Sequence, residues 1–314
     1  VEGLAITPDI DSGTVKVRVR SSGDRVKVTV KDKGKVVAKA AGDPLESISL
    51  NIPEAKLWSP DSPHLYDLEV TLVDDGKVVD TVTSYFGMRK IALKRDETGT
   101  LRLALNNRIL FQFGPLDQGW WPDGLYRPAT DAALRYDIEV VKKLGFNMLR
   151  KHGKVEPQRF YYFCDKLGVL VWQDMTPGDI AKGADAEYGT DRNAQSAYQF
   201  ELELKRMIET LYNHPSVVTW VIFNEGWGQY DTKRLTSWVK NMDPSRLVIS
   251  ASGFVDYGVG DIHDVHGYPG PTGAPWEPNR AQVLGEFGGL GLPVEGHLYE
   301  KRTVSYTHLT LPTN

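Results

Sequence analysis

The sequence predicts two domains of different class: an immunoglobulin-like β-sandwich, then an incomplete (β/α)8 TIM barrel, a multidomain β plus α/β chain. Three observations carry this. Residues 1–93 alternate apolar β-branched with charged residues, the period of strands with one buried face. From residue 94 the pattern switches to strands alternating with helices, which is the α/β signature. The length of 314 residues also exceeds what one core usually fills.

In the first region Val15, Val17 and Val19 interleave with Lys16, Arg18 and Arg20, and Val26, Val28 and Val30 with Lys27, Thr29 and Lys31. Turn signals at Ser22-Gly23-Asp24, Lys33-Gly34 and Asp74-Asp75-Gly76 separate further runs at Lys35–Ala40, Ser47–Ile52, Leu65–Val73 and Lys77–Phe86. Six or seven short antiparallel strands in this span read as a sandwich. The single cysteine, Cys164, rules out the disulfide-bridged variety and any Cys-based zinc site.

The second region, 94–304, reads as strand at Arg102–Phe113, Asn147–Leu149, Val169–Val171, Val217–Phe223, Leu247–Ser250, Ile262–Val265 and Val283–Phe287. Helices are expected at Asp131–Leu144 (apolar at Leu134, Ile138, Val141 and Leu144), Pro157–Leu167, Phe200–Tyr212 and Thr232–Met242. The run at 217–223 has no polar face, as in a strand buried on both sides. Polar residues gather at the C-terminal strand ends, which favours a barrel over a doubly wound sheet, because a barrel collects its chemistry on one rim. A complete barrel takes about 250 residues and roughly 200 are present, so the eighth strand is expected to be missing. The flanking strands would then have unpaired edges, and low stability or no activity is expected of the chain. It opens on Val1-Glu2-Gly3-Leu4 rather than on a start methionine and leader, so it is expected to begin inside a longer protein. Residues 305–314 break the pattern and are expected to be a non-native tail.

Composition excludes several classes. With 41% hydrophobic and 25% charged residues the chain is ordinary for a globular protein. There is no apolar run long enough for a membrane span. A balance of 37 basic against 41 acidic residues argues against nucleic-acid binding by counterion release. Composition leaves compartment and oligomeric state open.

Two apolar strands run abruptly into a glutamate. Thr219-Trp220-Val221-Ile222-Phe223 leads into Asn224-Glu225, and Val283-Leu284-Gly285 into Glu286, followed by Phe287 and two glycines. Apolar walls are expected to raise the pKa of Glu225, which suits a general acid. Glycines past the second strand let the backbone turn and approach a ligand. If Glu225 ends barrel strand four and Glu286 strand seven, the pair faces one pocket from opposite sides. Two opposed carboxylates are the equipment of glycoside hydrolysis, and a gap of about 5–5.5 Å makes one of them a nucleophile.

Five segments resemble glycoside hydrolase family 2: Leu57–Leu68 (LWSPDSPHLYDL), Phe86–Ile91 (FGMRKI), Gly145–Arg150 (GFNMLR), Val217–Glu225 and Leu284–Gly288. Their order and spacing make the match. The resemblance implies retaining exo-action on β-glycosides (galactosides, glucuronides, mannosides or glucosaminides, galactosides being favoured), no cofactor, and a further N-terminal sugar-binding domain. It implies that Glu225 is the acid/base, that Glu286 is the nucleophile and that Asn224 binds the sugar 2-hydroxyl.

Weaker substrate-binding candidates line the same rim. Strand parity puts Arg150 and His152 on one face with Met148, and Arg150 is expected to keep Glu286 ionised. Where the family often has Arg-x-Ser-His-Tyr, this chain has Arg150-Lys151-His152-Gly153. Asp174 either binds a hydroxyl or caps a turn. Trp120, Trp121 and Trp227 either stack on sugar or seal loops. Tyr268 is expected to hydrogen-bond the nucleophile. His266 shares a strand face with Asp264, and with His152 and His263 near other rims it offers an alternative divalent-metal reading. A His-x-x-His on a strand, however, puts the two rings on opposite faces. The reading from another class is a non-catalytic carbohydrate-binding protein on the same fold.

Overall fold

The computed structural model describes residues 1–44, 46–121, 124–177 and 192–289. The expected tail at 305–314 and the end of the second region, 290–304, lie outside them.

Seven strands build the sandwich: β1 (Gly3–Asp9), β2 (Thr14–Arg20), β3 (Arg25–Asp32), β4 (Lys35–Gly42), β5 (Ser47–Asn51), β6 (Tyr66–Asp74) and β7 (Lys77–Phe86). They form two antiparallel sheets ordered β1-β2-β5 and β4-β3-β6-β7. The alternating valines face inward, and Val15, Val17, Val26, Val28 and Val30 are fully buried between the sheets with Leu50, Tyr66, Leu68, Val70 and Phe86. Two hairpins close on residue pairs with positive φ, Lys33-Gly34 (48° and 82°) and Asp75-Gly76 (48° and 74°). That is the backbone a two-residue hairpin turn needs to match strand twist.

The expected strand at 102–113 is instead part of a small antiparallel sheet: β8 (Ile91–Arg95), β9 (Leu101–Leu105) and β10 (Arg108–Ile109), ordered β10-β9-β8. Asn106 and Asn107 both take positive φ, 52° and 65°, and reverse the chain where one strand was expected. Ile91, Leu103 and Leu105 share an apolar cluster with Met148, Trp172, Val221, Ile249 and Ile262, so this sheet packs against the barrel rather than forming a stave of it.

The first stave is the short β11 (Leu116–Asp117). After it come α1 (Asp131–Lys143), β12 (Met148–Lys151), α2 (Gln158–Leu167), β13 (Leu170–Asp174), α3 (Ala194–Leu211), β14 (Val217–Asn224), α4 (Thr232–Met242), β15 (Leu247–Ser252), β16 (Ile262–Gly267) and β17 (Ala281–Phe287). Strands β11 to β15 pair in parallel in chain order, and β16 pairs in parallel with β17. Among the described residues this is an incomplete barrel of seven staves. All eight positions of β14 are buried, as its unbroken apolar run predicts. Thr130 and Asn193 cap α1 and α3 by accepting N–H bonds from Ala133 and Ser196. The cap at Asn193 explains why α3 starts before Phe200. Leu144, expected on the apolar face of α1, falls at its C-cap and is 64% exposed. No described helix is long and apolar enough to cross a membrane.

The sandwich docks on the barrel through buried and half-buried polar groups. Asn213 pairs with the edge of β1, accepting from Ile6 N at 2.9 Å and donating to Leu4 O at 3.0 Å. The Trp58 indole, in the segment 57–68, donates to Asp165 O at 2.7 Å. Arg89 donates to the carbonyls of Pro215, Val217 and Ser245 at 3.0, 2.9 and 3.1 Å.

Candidate active site

Because β14 and β17 are parallel staves of one barrel, their terminal residues open on the same rim. Glu225 follows directly on Asn224, its N–H held by Ser252 O at 2.8 Å. Its φ is +54°, and Gly226 follows at +79°. A non-glycine residue held in this region is strained, a feature that clusters at functional sites. Glu286 lies within β17 and is 4% exposed. One carboxyl oxygen of Glu225 and one of Glu286 lie within 4.8 Å of each other. The two glutamates, 61 positions apart in sequence, therefore meet across a single small gap.

Arg150 lies under this gap with a side chain 2% exposed. Its Nε and Nη2 donate to the two oxygens of Asp174 at 3.0 and 2.8 Å, its Nη1 to Glu286 Oε1 at 3.0 Å, and its Nη2 also to Asn224 Oδ1 at 2.8 Å. Burial disfavours its charge, but Asp174 and Glu286 outweigh burial and raise its pKa. Asp174, only 2% exposed and engaged by Arg150 through both oxygens, is placed to hold the guanidinium rather than a sugar hydroxyl. With its oxygen turned to Arg150, Asn224 directs its amide NH2 elsewhere.

His266 sits between the glutamates with its side chain 0% exposed. Its Nδ1 is 2.8 Å from Glu225 Oε1 and 3.6 Å from Glu286 Oε2. Its Nε2 is 2.8 Å from Ser252 Oγ, which lies 2.5 Å from Asp264 Oδ2. His266 therefore braces the carboxyl pair instead of reaching into the gap. The expectation of a raised pKa at Glu225 fails for this reason. Burial does push that carboxyl up, but the hydrogen bond from His266, with the positive charge of Arg150 behind it, holds it below its ordinary range. Asp264 shows the opposite balance. Burial lifts its pKa despite Arg150, His266 and the Ser252 hydrogen bond.

His152 joins the group. Its Nδ1 is 3.1 Å from Gln118 Nε2, and its Nε2 lies 3.8 Å from Asp174 and 3.9 Å from Glu286. Burial lowers its pKa more than Asp174 raises it. The Tyr268 hydroxyl donates to Glu286 Oε2, the contact expected of it. The tryptophans are more peripheral. Trp120 is 40% exposed and meets Tyr126 edge-on at 4.4 Å, with no described polar or ring contact to either glutamate. Trp121 packs on the helix-side core. Trp227 is half-buried in the turn after Glu225, its backbone N–H donating to Asn224 O at 2.9 Å.

Two groups among the described residues have spacing that suits a cation: Glu225, His266 and Glu286, and Asp256, His263 and Glu277. In both, a guanidinium already supplies positive charge. Arg150 does so in the first and Arg280 in the second, where it bonds Asp256 at 2.6 and 2.7 Å and Glu277 at 2.6 Å. His263 is the second residue of β16, at the strand end away from His266, so the residues of the alternative metal reading do not come together as one set. Ser252 was not foreseen as a site residue. Its only signal was a polar side chain closing an apolar strand, paired in register with Asn224.

A β-sandwich followed by a barrel with two facing carboxylates on its rim defines a carbohydrate-active architecture. Residues 1–89 match the family profile described as "Glycosyl hydrolases family 2", and residues 124–266 match "Glycosyl hydrolases family 2, TIM barrel domain". The chain belongs to glycosyl hydrolase family 2. It is 30% identical to a putative beta-glucuronidase of Formosa agariphila over 237 residues, covering 70% of this chain and 21% of that protein. It is 28% identical to a beta-galactosidase of Leuconostoc mesenteroides over 273 residues, covering 81% of this chain and 26% of the relative. Among solved structures it resembles the beta-glucuronidase of Parabacteroides merdae (TM-score 0.69, 20% identity, 86% of this chain and 35% of that one). It also resembles a GH2 beta-galacturonidase of Eisenbergiella tayi bound to galacturonate (TM-score 0.66, 25% identity, 85% and 50%). The chain spans between 19% and 41% of the length of the first curated relatives.

Proposed function

We propose that this chain carries the catalytic centre of a retaining β-glycosidase that releases terminal β-linked sugars, in a barrel domain of residues 94–304 carried on a sandwich domain of residues 1–93. The observation that carries the reading is the gap between Glu225 and Glu286, within 4.8 Å. A gap of that size suits direct attack, whereas inverting enzymes keep their carboxyls about 6.5–9.5 Å apart to admit a water.

In the first step Glu286 attacks C1, and Glu225 protonates the departing oxygen. In the second, water deprotonated by Glu225 releases the sugar from Glu286. Arg150 and Tyr268 steady Glu286 from two sides, and the Asn224 amide meets the sugar 2-hydroxyl. The described cation nearest the gap, Arg150, is already bonded to Asp174, Asn224 and Glu286. It has little left for a sugar carboxylate, which favours a neutral sugar, a galactoside first, over a glucuronide.

A panel of aryl β-galactoside, glucuronide, mannoside and glucosaminide against the full-length protein tests the reading, with the first-formed anomer followed by NMR. The β-anomer should appear first, and the galactoside should be cleaved fastest. Appearance of the α-anomer would refute retention. Binding to glycans with no turnover of any member would favour the non-catalytic reading. Glu286→Gly should abolish turnover, with partial rescue by azide or formate in the vacated space.

A further inference from the structure

We propose that Asp264, Ser252 and His266 form a buried proton relay ending at Glu225, with Asp264 as its proton store; Asp264 and Ser252 are positioning residues that act on Glu225 through His266. This rests on the function proposed above and adds to it the source of the acid proton.

Four side chains stand in line. Asp264 Oδ2 lies 2.5 Å from Ser252 Oγ, Ser252 Oγ 2.8 Å from His266 Nε2, and His266 Nδ1 2.8 Å from Glu225 Oε1. These three contacts need three hydrogens. A hydroxyl brings one, a neutral imidazole one, and one further proton, held on a carboxyl or on the ring, supplies the third. Three arrangements satisfy every link. In one, Asp264 O–H donates to Ser252, Ser252 O–H to His266 Nε2, and His266 Nδ1–H to an ionised Glu225. In another, each hydrogen has moved one link along, leaving Asp264 ionised and Glu225 protonated. In the third, His266 is an imidazolium donating from Nε2 to Ser252 and from Nδ1 to an ionised Glu225, while Ser252 O–H donates to an ionised Asp264. All three carry the same net charge.

The surroundings favour the proton on Asp264 at rest. Asp264 is 1% exposed, and its Oδ1 has no hydrogen-bond partner among the described residues. A buried carboxylate oxygen without a donor is costly, whereas a neutral carboxyl is much less so. The carboxyl packs on the bare backbone of Gly285, where a Cβ would come within 2.2 Å of both oxygens. The groups facing it are Arg150 from β12, Ser252 from β15, His266 on its own strand and Glu286 from β17. Burial outweighs the attraction of Arg150 and lifts the Asp264 pKa, while Glu225 is held low. The His266 ring is fixed in line. Gly253 leaves no room beside it, since a Cβ there would fall 2.6 Å from Nδ1, and Phe254 meets it edge-on at 5.8 Å.

The relay closes the proton balance of both steps. As Glu286 bonds to C1, the electron pair of the breaking C–O bond goes to the leaving oxygen, which takes a proton from Glu225. That proton has come to Glu225 along the relay and leaves Asp264 as a carboxylate near Arg150. In the second step water bonds to C1, the electron pair of the ester bond returns to Glu286, and the water's proton passes through Glu225 back to Asp264.

The test is the leaving-group dependence of kcat/KM for Asp264→Asn and Ser252→Ala in the full chain. The substrates are a methyl and a 2,4-dinitrophenyl β-glycoside of whichever sugar the panel identifies. Dinitrophenolate departs without protonation and methoxide does not. The methyl-to-dinitrophenyl ratio should fall by about tenfold or more in both variants, the pH optimum on the methyl glycoside should move to lower pH, and Ser252→Thr should restore the ratio. A fall in both substrates together, with the ratio and optimum unmoved, would mean a structural role only and overturn the proposal. Difference infrared spectroscopy provides a readout without turnover. The wild type at neutral pH should show a protonated-carboxyl C=O stretch that Asp264→Asn lacks, and its absence from the wild type would also overturn the proposal. If no glycoside is cleaved, the functional reading fails, while the infrared band still decides whether Asp264 holds a proton.

Discussion

Replacing Arg150 with Met keeps the length and apolar stem of the side chain and removes its only charge. The guanidinium is 2% exposed and bonds Asp174, Glu286 and Asn224. At the 3.0 Å separating Nη1 from Glu286 Oε1, an effective dielectric of about 20 gives about 5 kcal/mol of attraction. Desolvation offsets part of any such pair, so truncating one partner of a buried pair costs about 3–5 kcal/mol. The loss here belongs at the upper end, because two carboxyls are stripped at once. At about 2–4 °C per kcal/mol, Tm should fall by about 10 °C or more. Thermal unfolding followed by circular dichroism at pH 7 and again at pH 4 measures it. The deficit should shrink at pH 4, where protonation removes the buried negative charge the variant leaves behind. Arg135→Met serves as control. That residue pairs with Glu139 on the surface of α1, and its loss should cost less than about 0.5 kcal/mol. If Arg150→Met matched the wild-type midpoint at pH 7, the guanidinium would not be compensating buried carboxylates, and the electrostatic account of the site would be wrong.

Tyr268→Phe removes the hydroxyl that donates to Glu286 Oε2; a hydrogen bond to a charged group contributes about 1.5–3 kcal/mol, so kcat/KM should fall about ten- to a hundredfold in steady-state assays. Asn224→Ala should slow cleavage of the parent glycoside but barely affect its 2-deoxy analogue, and equal losses on both would detach Asn224 from the 2-hydroxyl. Asp243→Asn tests linkage at the base of the barrel. Burial raises that carboxyl, but Arg246, Ser245 and Trp220 outweigh it and depress its pKa. The ionised form is therefore stabilising above the usual carboxylate range, and this contribution is lost as pH falls through the depressed value. The wild type's advantage in urea midpoint should accordingly be largest near pH 7 and vanish in acid.

Much of the fold was legible because it depends on local pattern. The valines of β2 and β3 and the unbroken apolar run of β14 state directly which faces are covered. The two glutamates were legible for the same reason, since a charged residue closing an apolar strand has only the rim to go to. The hairpin at β9–β10 was misread although its signal, two consecutive asparagines able to take positive φ, is printed in the sequence at 106–107. An apolar count over 102–113 overrides a turn if the turn residues are not weighed. Leu144 was misplaced because helical periodicity continues into the residue where the helix stops.

The chemistry of the site was less legible, because a pKa depends on convergence in space and strand pattern is silent on it. The apolar walls of Glu225 are its own strand neighbours, whereas the group that reverses their effect, His266, is 41 positions away. Four carboxyls, Asp174, Glu225, Asp264 and Glu286, gather around one permanently charged guanidinium, and all but Glu225 are essentially buried. One cation cannot hold four such clustered negative charges, three of them buried, at neutral pH without help from the imidazoles or from protons. Asp174 and Glu286 are bonded directly by Arg150, and Glu225 by His266. That leaves Asp264, which has one oxygen without a donor, as the carboxyl best placed to remain neutral. The charge balance around Arg150 thus calls for a shared proton, and the bare oxygen of Asp264, rather than the hydrogen count along the relay, decides where that proton rests.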